Sequence, residues 1–218
     1  MRLARFQVDR DIAAAGAIPP LVECLRARGD DRAWTAAMTL QSLSCHSEVR
    51  KAAIMAAGGV QLFQALLVSG EPDDKEVAAM CLHNLCYCDE DKQLPDAVER
   101  QRAIVEAGAV APLLALTRSL EDGAREAGAC ALNGLIHDED DLRERVVSEL
   151  LNNHGVPPLV ALLRSPSASA EGKHDVAAIL KEVAQHDPDA AVARELGFEN
   201  PGAVGDDQAR VATLHEMV

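Results

Sequence analysis

The chain has 218 residues, of which 48% are apolar but only 2% aromatic, and 21 basic residues face 35 acidic ones for a formal net charge of −14. A core made of Ala, Leu, Val and Ile is typical of packed helices and argues against a β-sandwich or β-barrel. The acidic balance makes nucleic acids and anionic membrane surfaces unfavourable partners.

One short sequence word recurs along the chain and predicts its organisation. The first copy spans residues 15–20, where Gly16 is followed by Pro19 and Pro20. The glycine returns at Gly58, Gly108, Gly155 and Gly197, with spacings of 42, 50, 47 and 42 residues. A period of about 40–47 residues is typical of helical solenoids, whose repeats bury their apolar faces by stacking. At each copy we expect glycine to end one helix in the left-handed conformation and, where proline follows, proline to open the next.

Apolar residues spaced three and four apart predict three helices in each repeat. The predicted repeats cover about 3–45, 46–88, 97–136 and 138–186, followed by a partial repeat at 187–197. The helices expected are at about 3–15, 18–28 and 31–45, then 97–107, 110–120 and 122–136, and a long one at about 139–153. The solenoid is expected over residues 1–197, and the segment 198–218 is predicted to be a tail or a helix that caps the open end of the stack.

The interval between Gly58 and Gly108 is eight residues longer than that between Gly16 and Gly58, 50 against 42. Residues 89–96 are polar and contain a proline, and they account for the difference. We therefore expect an inserted loop there. Loops that project from a solenoid often carry binding functions.

With the repeats in register, the sequence resembles the armadillo-repeat family over about residues 3–197. One matching stretch has Gly16, Ala17 and Ile18 four to six residues after Ile12, and another is 102–110. The third-helix word recurs as Ala36-Ala37 with Leu40 and Leu43, as Ala78-Ala79 with Leu82 and Leu85, and as Gly128-Ala129 with Leu132 and Leu135. The resemblance implies an all-α fold, a right-handed α-solenoid of about four three-helix repeats. It also implies that the third helices line a concave groove that binds extended peptides.

In the importin-alpha-like branch of the family, the third-helix word carries a Trp and, one turn later, an Asn that clamp a basic nuclear-localisation peptide. Here the Trp positions hold Met38, Met80, Cys130 and Ala178, and the Asn positions hold Ser42, Asn84, Gly134 and Glu182. Only Asn84 matches. An adaptor for nuclear-localisation peptides is therefore kept as an alternative.

The candidate partner-binding residues are the polar, thioether and aromatic side chains predicted on the groove face. They are Trp34, Met38, Ser42, Glu76, Met80, Asn84, Glu126, Cys130, His174 and Glu182. Methionine adapts to varied apolar surfaces, and glutamates favour Lys or Arg on a partner. The expected partner is a protein or peptide with basic and apolar residues.

No catalytic constellation stands out in the sequence. The cluster Cys81, His83, Cys86 and Cys88 has zinc-ligand residue types, but one helix spreads these positions over different faces, so we predict packed thiols and neither metal nor cofactor. The six cysteines do not form a compact disulfide pattern, which favours a reducing compartment.

The sequence therefore predicts a noncatalytic interaction scaffold. We expect it to be cytoplasmic, with the nucleus or another intracellular compartment as alternatives, and not to insert into membranes. The remaining alternatives are a fixed subunit of a larger assembly and a helical-repeat enzyme subunit.

Overall fold

The computed structural model describes residues 15–26, 31–45, 47–87, 95–136 and 139–186, together with Glu195. These ranges contain α-helices and no β-strand. The helices are α1 Ile18–Cys24, α2 Asp31–Ser44, α3 Glu48–Ala56, α4 Gly59–Ser69, α5 Pro72–Cys86, α6 Pro95–Glu106, α7 Val110–Leu116, α8 Asp122–Gly134, α9 Asp140–Asn152, α10 Val156–Leu163 and α11 Ala170–His186.

Several predicted segments lie outside the described residues. They are the first helix at 3–15, most of the insertion 89–96, the partial repeat 187–197 apart from Glu195, and the segment 198–218. The other predicted helices are found within a few residues of their expected ends. One is clearly shorter than expected, because α7 ends at Leu116 and leaves Leu120 in a turn with 95% of its surface exposed.

The chain divides into two compact units, which we call the N-terminal unit (residues 1–109) and the C-terminal unit (residues 110–218). Helices α1 to α6 belong to the N-terminal unit and α7 to α11 to the C-terminal unit. The third helices of the predicted repeats are α2 and α5 in the first unit and α8 and α11 in the second.

In the N-terminal unit, α2 packs against α1, α3 and α5, and α5 packs also against α4 and α6. The largest fully buried side chains of this unit are leucines and isoleucines together with Phe63, which is the largest of them. Each fully buried Leu or Phe stabilises the fold by about 1.5–3 kcal/mol relative to exposure. Over the described ranges, no single helix is long and apolar enough to cross a membrane, and α3 and α4 pass that test only as a pair bent by 73° at their junction.

In the C-terminal unit, α8 packs against α7 and α11, and α11 packs also against α9 and α10. Its core is again aliphatic, with fully buried Leu132 on α8, Leu159 on α10 and Leu180 on α11. Gly128 permits the close approach of α7, because a Cβ there would lie 2.8 Å from the carbonyl oxygen of Leu113. With few aromatic side chains between them, the helices pack closely, as α7 and α8 do at Gly128.

The corners between first and second helices follow the predicted pattern in three of four copies. Gly16, Gly58 and Gly108 have φ of 75°, 78° and 75°. In the fourth copy our expectation for Gly155 is wrong, because its φ is −75° and the left-handed residue is His154, with φ of 52°. Gly155 has a different constraint, since a Cβ on it would lie 2.8 Å from the carbonyl oxygen of Leu150.

An arginine on each of the first helices α3, α6 and α9 closes the end of the preceding third helix. The Nε atoms of Arg50, Arg100 and Arg143 donate to the carbonyl oxygens of Leu43, Leu85 and Ile136, at 2.7, 2.6 and 3.1 Å. These carbonyls have no partner within their own helix, and the negative end of the helix dipole favours a cation there. The sequence distances are 7, 15 and 7 residues, so the longer span contains the predicted insertion.

Candidate functional site

The predicted groove residues of the N-terminal unit form two parallel sets on α2 and α5, which we call the N-terminal row. Trp34, Met38 and Ser42 on α2 are spaced four apart and therefore share one helix face. Trp34 is 45% exposed and Met38 is 39% exposed, although both are large apolar side chains. The chain has a single tryptophan, so its one indole lies at the surface on a third helix.

On α5 the matching residues of the N-terminal row are Glu76, Met80 and Asn84, all half-buried. Two contacts hold α5 beside α2. The Cys81 thiol donates to the carbonyl oxygen of Ala37 at 3.7 Å, and the Asn84 side-chain nitrogen lies 3.1 Å from the carbonyl oxygen of Gln41. The row is therefore built on a fixed helix pair.

The Asn84 amide nitrogen has further partners at the end of α2. It also lies 3.0 Å from Ser44 Oγ and 3.3 Å from Cys45 Sγ. Because an amide nitrogen has two hydrogens, these acceptors use its full donor capacity. In this structure Asn84 joins two helices, and its amide hydrogens are already engaged before any peptide backbone arrives.

In the C-terminal unit, the predicted residues are Glu126 and Cys130 on α8 and His174 and Glu182 on α11, which we call the C-terminal row. His174 is exposed, while the other three are half-buried. The Glu182 carboxylate lies 3.8 Å from the Arg143 Nε, and that arginine also binds the end of α8. The row is more polar than its N-terminal counterpart.

Glu126 is engaged with the start of α11. Its carboxylate accepts hydrogen bonds from the Ser169 backbone N–H at 2.7 Å and from Ser169 Oγ at 2.5 Å. A second bond between the two helices runs from the Asn133 amide to Asp175 Oδ1 at 2.9 Å. Sequence reasoning did not identify Ser169, Asn133 or Asp175, because these contacts join residues more than forty positions apart.

A buried ionic cluster in the N-terminal unit was also missed. Lys51 is 2% exposed and Arg100 is 4% exposed, and both pair with Glu48, at 3.0 and 2.8 Å. The Lys51 ammonium also donates to the carbonyl oxygen of Tyr87. The cluster joins α3 to α6 and to the end of α5. The recurrence of an arginine near the start of each first helix is the signal that could have indicated it.

The cysteine-rich segment of α5 is part of the core. Cys81 and Cys86 are buried, His83 is half-buried, and Cys88 lies outside the described residues. Burial, with a smaller contribution from nearby Cys45, raises the pKa of the Cys81 thiol far above its ordinary value. Such a thiol is a poor nucleophile and a poor metal ligand. No group of three or more potential metal ligands is found in the part of the chain that the structure describes.

Comparison with known proteins identifies the fold. No protein-family profile and no curated protein matches the chain in sequence. Among solved structures, a designed armadillo repeat protein in complex with the peptide (KR)4 is similar with a TM-score of 0.72 and 17% identity, covering 96% of this chain and 84% of its own. The chain has the armadillo-repeat fold.

Two further solved structures are similar to the chain, and the second of them is also an armadillo-repeat protein. An engineered protein matches with a TM-score of 0.72 and 24% identity over 97% of this chain and 83% of its own. The armadillo-repeats-only protein from Plasmodium falciparum matches with a TM-score of 0.63 and 18% identity over 98% of this chain and 97% of its own. The predicted fold class, an α-solenoid of armadillo repeats, is thereby confirmed. The predicted groove residues stay a prediction.

Proposed function

We propose that this armadillo-repeat chain is a noncatalytic scaffold that binds an extended segment of a partner protein along its third helices. The N-terminal row would offer contacts to apolar side chains of a partner, and the C-terminal row, taken by itself, would offer carboxylates to basic side chains. The observation that carries this proposal is the exposure of Trp34 and Met38, one turn apart on α2. Exposed aromatic and methionine side chains grouped on one surface are typical of protein interfaces.

The charges of the described residues favour a basic segment. Glu182 and Asp175 lie on α11, and the small residues Gly134 and Ala178 hold the positions that carry Asn and Trp in the importin-alpha-like branch. Together with the net charge of −14, these carboxylates favour Lys or Arg on the partner. A designed protein of the same fold is itself in complex with (KR)4. A permanent subunit interface of a larger assembly would use the same surface.

Trp34 provides the test, because it is the only tryptophan in the chain. We would titrate the protein with three octapeptides: (KR)4, a version with leucine at its two central positions, and (DE)4. The leucine-bearing peptide should shift the Trp34 emission to shorter wavelength as the indole leaves water. It should bind about tenfold tighter than (KR)4, since burying one leucine contributes about 1.5–3 kcal/mol.

The matched control is Val49→Ser, which removes an exposed apolar side chain on the first helix α3 of the same unit. This variant should bind both basic peptides as the wild type does. The acidic peptide should leave Trp34 emission unchanged. Absence of any response to both basic peptides up to about 1 mM would contradict the proposed function.

A further inference from the structure

The Glu126 carboxylate occupies the N-terminus of α11, where it replaces solvent. Ser169 precedes the helix and binds both carboxylate oxygens, through its N–H at 2.7 Å and its hydroxyl at 2.5 Å. The same hydroxyl accepts from the Gly172 N–H at 3.0 Å. The positive end of a 17-residue helix favours a negative charge at this point.

Gly172 makes the room that this carboxylate needs. A Cβ at position 172 would lie 2.9 Å from Glu126 Cδ, 2.9 Å from Cγ and 3.0 Å from Oε2. Alanine could therefore not replace glycine without moving the glutamate. The contact therefore depends both on the hydrogen bonds from Ser169 and on the absence of a side chain at Gly172.

Glu126 lies on the face of α8 that is proposed to bind a partner, but its carboxylate already has hydrogen-bond partners within the chain. Glu126 shares a helix face with Cys130 and Gly134, which belong to the surface proposed to bind the partner segment. Both of its oxygens are nevertheless used by Ser169. Each carboxylate oxygen keeps a second lone pair, but the two Ser169 bonds hold the carboxylate against the start of α11, so a basic side chain that needs another orientation of the carboxylate must break them.

We propose that the contact of Glu126 with Ser169 and Gly172 is an autoinhibitory latch of the C-terminal row. In the free protein it withholds the glutamate, and a lysine or arginine of the partner releases the latch when it pairs with the carboxylate. This inference rests on the proposed function, because it concerns the same surface. It makes the affinity for a basic segment lower than the number of carboxylates on the row alone would give.

Two variants open the latch by opposite routes. Ser169→Ala removes the hydroxyl bond and weakens the start of α11, whereas Gly172→Ala expels the carboxylate and favours the helix, because alanine is the better helix former. Both should raise the affinity for (KR)4 by about three- to tenfold, the range that corresponds to the net contribution of one ordinary hydrogen bond. Since they change helix stability in opposite directions, a shared gain in affinity is not a stability effect.

The matched control is Ser47→Ala, which removes the hydroxyl that accepts from Arg50 N–H at the start of α3 but binds no carboxylate. It should leave the affinity for (KR)4 unchanged. In a Glu126→Gln background, neither latch variant should improve binding. We expect the Ser169 amide hydrogen to exchange slowly in the free protein, where it binds Glu126, and faster when (KR)4 is added.

The outcomes separate the latch from the function on which it rests. Equal (KR)4 affinity in the wild type, Ser169→Ala and Gly172→Ala would overturn the latch and leave the scaffold intact. A gain that persists in the Glu126→Gln background would also overturn the latch. If (KR)4 binds none of these proteins but the leucine-bearing peptide does, the latch fails alone; if neither basic peptide binds, the proposed function fails with it.

Discussion

The N-terminal and C-terminal units use the same helical parts but place their charges and apolar groups differently. The N-terminal unit buries Lys51 and Arg100 beside Glu48 and exposes Trp34 and Met38. In the C-terminal unit Arg143, the arginine at the end of the third helix α8, is 24% exposed, and the third helices present polar and small residues. The N-terminal unit therefore buries an ion cluster and exposes large apolar side chains on a third helix, whereas the C-terminal unit leaves Arg143 partly exposed and presents polar and small residues on its third helices.

The comparison shows which features both units share and which differ between them. Both units need an arginine at the end of a third helix, because that end leaves carbonyls without partners. Neither unit needs a particular side chain on the exposed face of its third helices, since the core is complete without it. Variation on that face is where the two units can acquire different binding preferences.

The largest difference between the units should be in the stability lost when the arginine at the end of a third helix is removed. Arg100→Ala removes the buried cation that binds both Glu48 and the Leu85 carbonyl but leaves Lys51 paired with Glu48, and it should lower the free energy of unfolding by about 2–3 kcal/mol. Arg143→Ala should cost about 1 kcal/mol, because its ionic partners Asp140 and Glu182 have access to water. Urea denaturation of both variants measures the difference. Equal losses would mean that burial of the charge cluster has no energetic effect.

The next contrast concerns binding by aligned positions of the two rows. Trp34→Ala should lower the affinity for the leucine-bearing basic peptide by about 2 kcal/mol, roughly thirtyfold, as truncation of a central aromatic commonly does. His174→Ala, at the equivalent position of α11, should cost less than about 1 kcal/mol. Fluorescence polarisation with labelled peptide measures both. A larger loss for His174→Ala than for Trp34→Ala would mean that the apolar contact with the peptide lies in the C-terminal unit, which contradicts the proposal.

A smaller effect should appear at high pH in the core of the N-terminal unit. The Cys81 thiol stays protonated in the folded protein above its ordinary pKa of 9.0, whereas the unfolded chain loses that proton. The unfolded state then binds fewer protons, so stability falls as pH rises above 9 by about 1.4 kcal/mol per pH unit from this group. Comparing wild type with Cys81→Ala between pH 8 and 10 isolates the slope. Parallel pH profiles would show that Cys81 does not contribute.

The smallest contrast should come from the corners. His154→Gly should stabilise the protein by about 0.5–1 kcal/mol, because a left-handed residue with a Cβ costs about 1–2 kcal/mol and glycine entropy offsets part of that gain. Gly108→Ala should destabilise by about 1–2 kcal/mol for the same reason, as no other atom lies within 4 Å of its added Cβ. Thermal unfolding of the two variants should show shifts of opposite sign.

The sequence predicted most of the fold because its signals are local and repeated. Apolar spacing predicted a helix at each of the eleven described helices, and glycine or proline located the corners. The fourth corner was misassigned because His154 and Gly155 are adjacent, and only the backbone shows which one is left-handed. The packing of Gly155 against Leu150 has no sequence pattern of its own.

The candidate site was less predictable, since its chemistry depends on tertiary contacts. Repeat register placed Trp34 and Met38 on a third helix, and their exposure is consistent with that placement. Asn84 and Glu126 have the same register but are engaged by neighbouring helices. Lys51 reads as a surface residue in the sequence, and its burial follows only from where Glu48 and Tyr87 lie.

The arginines that bind the ends of the third helices lie at different sequence distances from the carbonyls they bind, which bears on how the chain tolerates changes in length. Arg100 reaches Leu85 across 15 residues and Arg50 reaches Leu43 across 7, yet both make the same bond. The eight extra residues of the longer span therefore lie between two positions, Leu85 and Arg100, that this bond joins. Such a point accepts insertion or deletion without shifting the register of the helices on either side, which makes it the natural attachment point for an added peptide or domain.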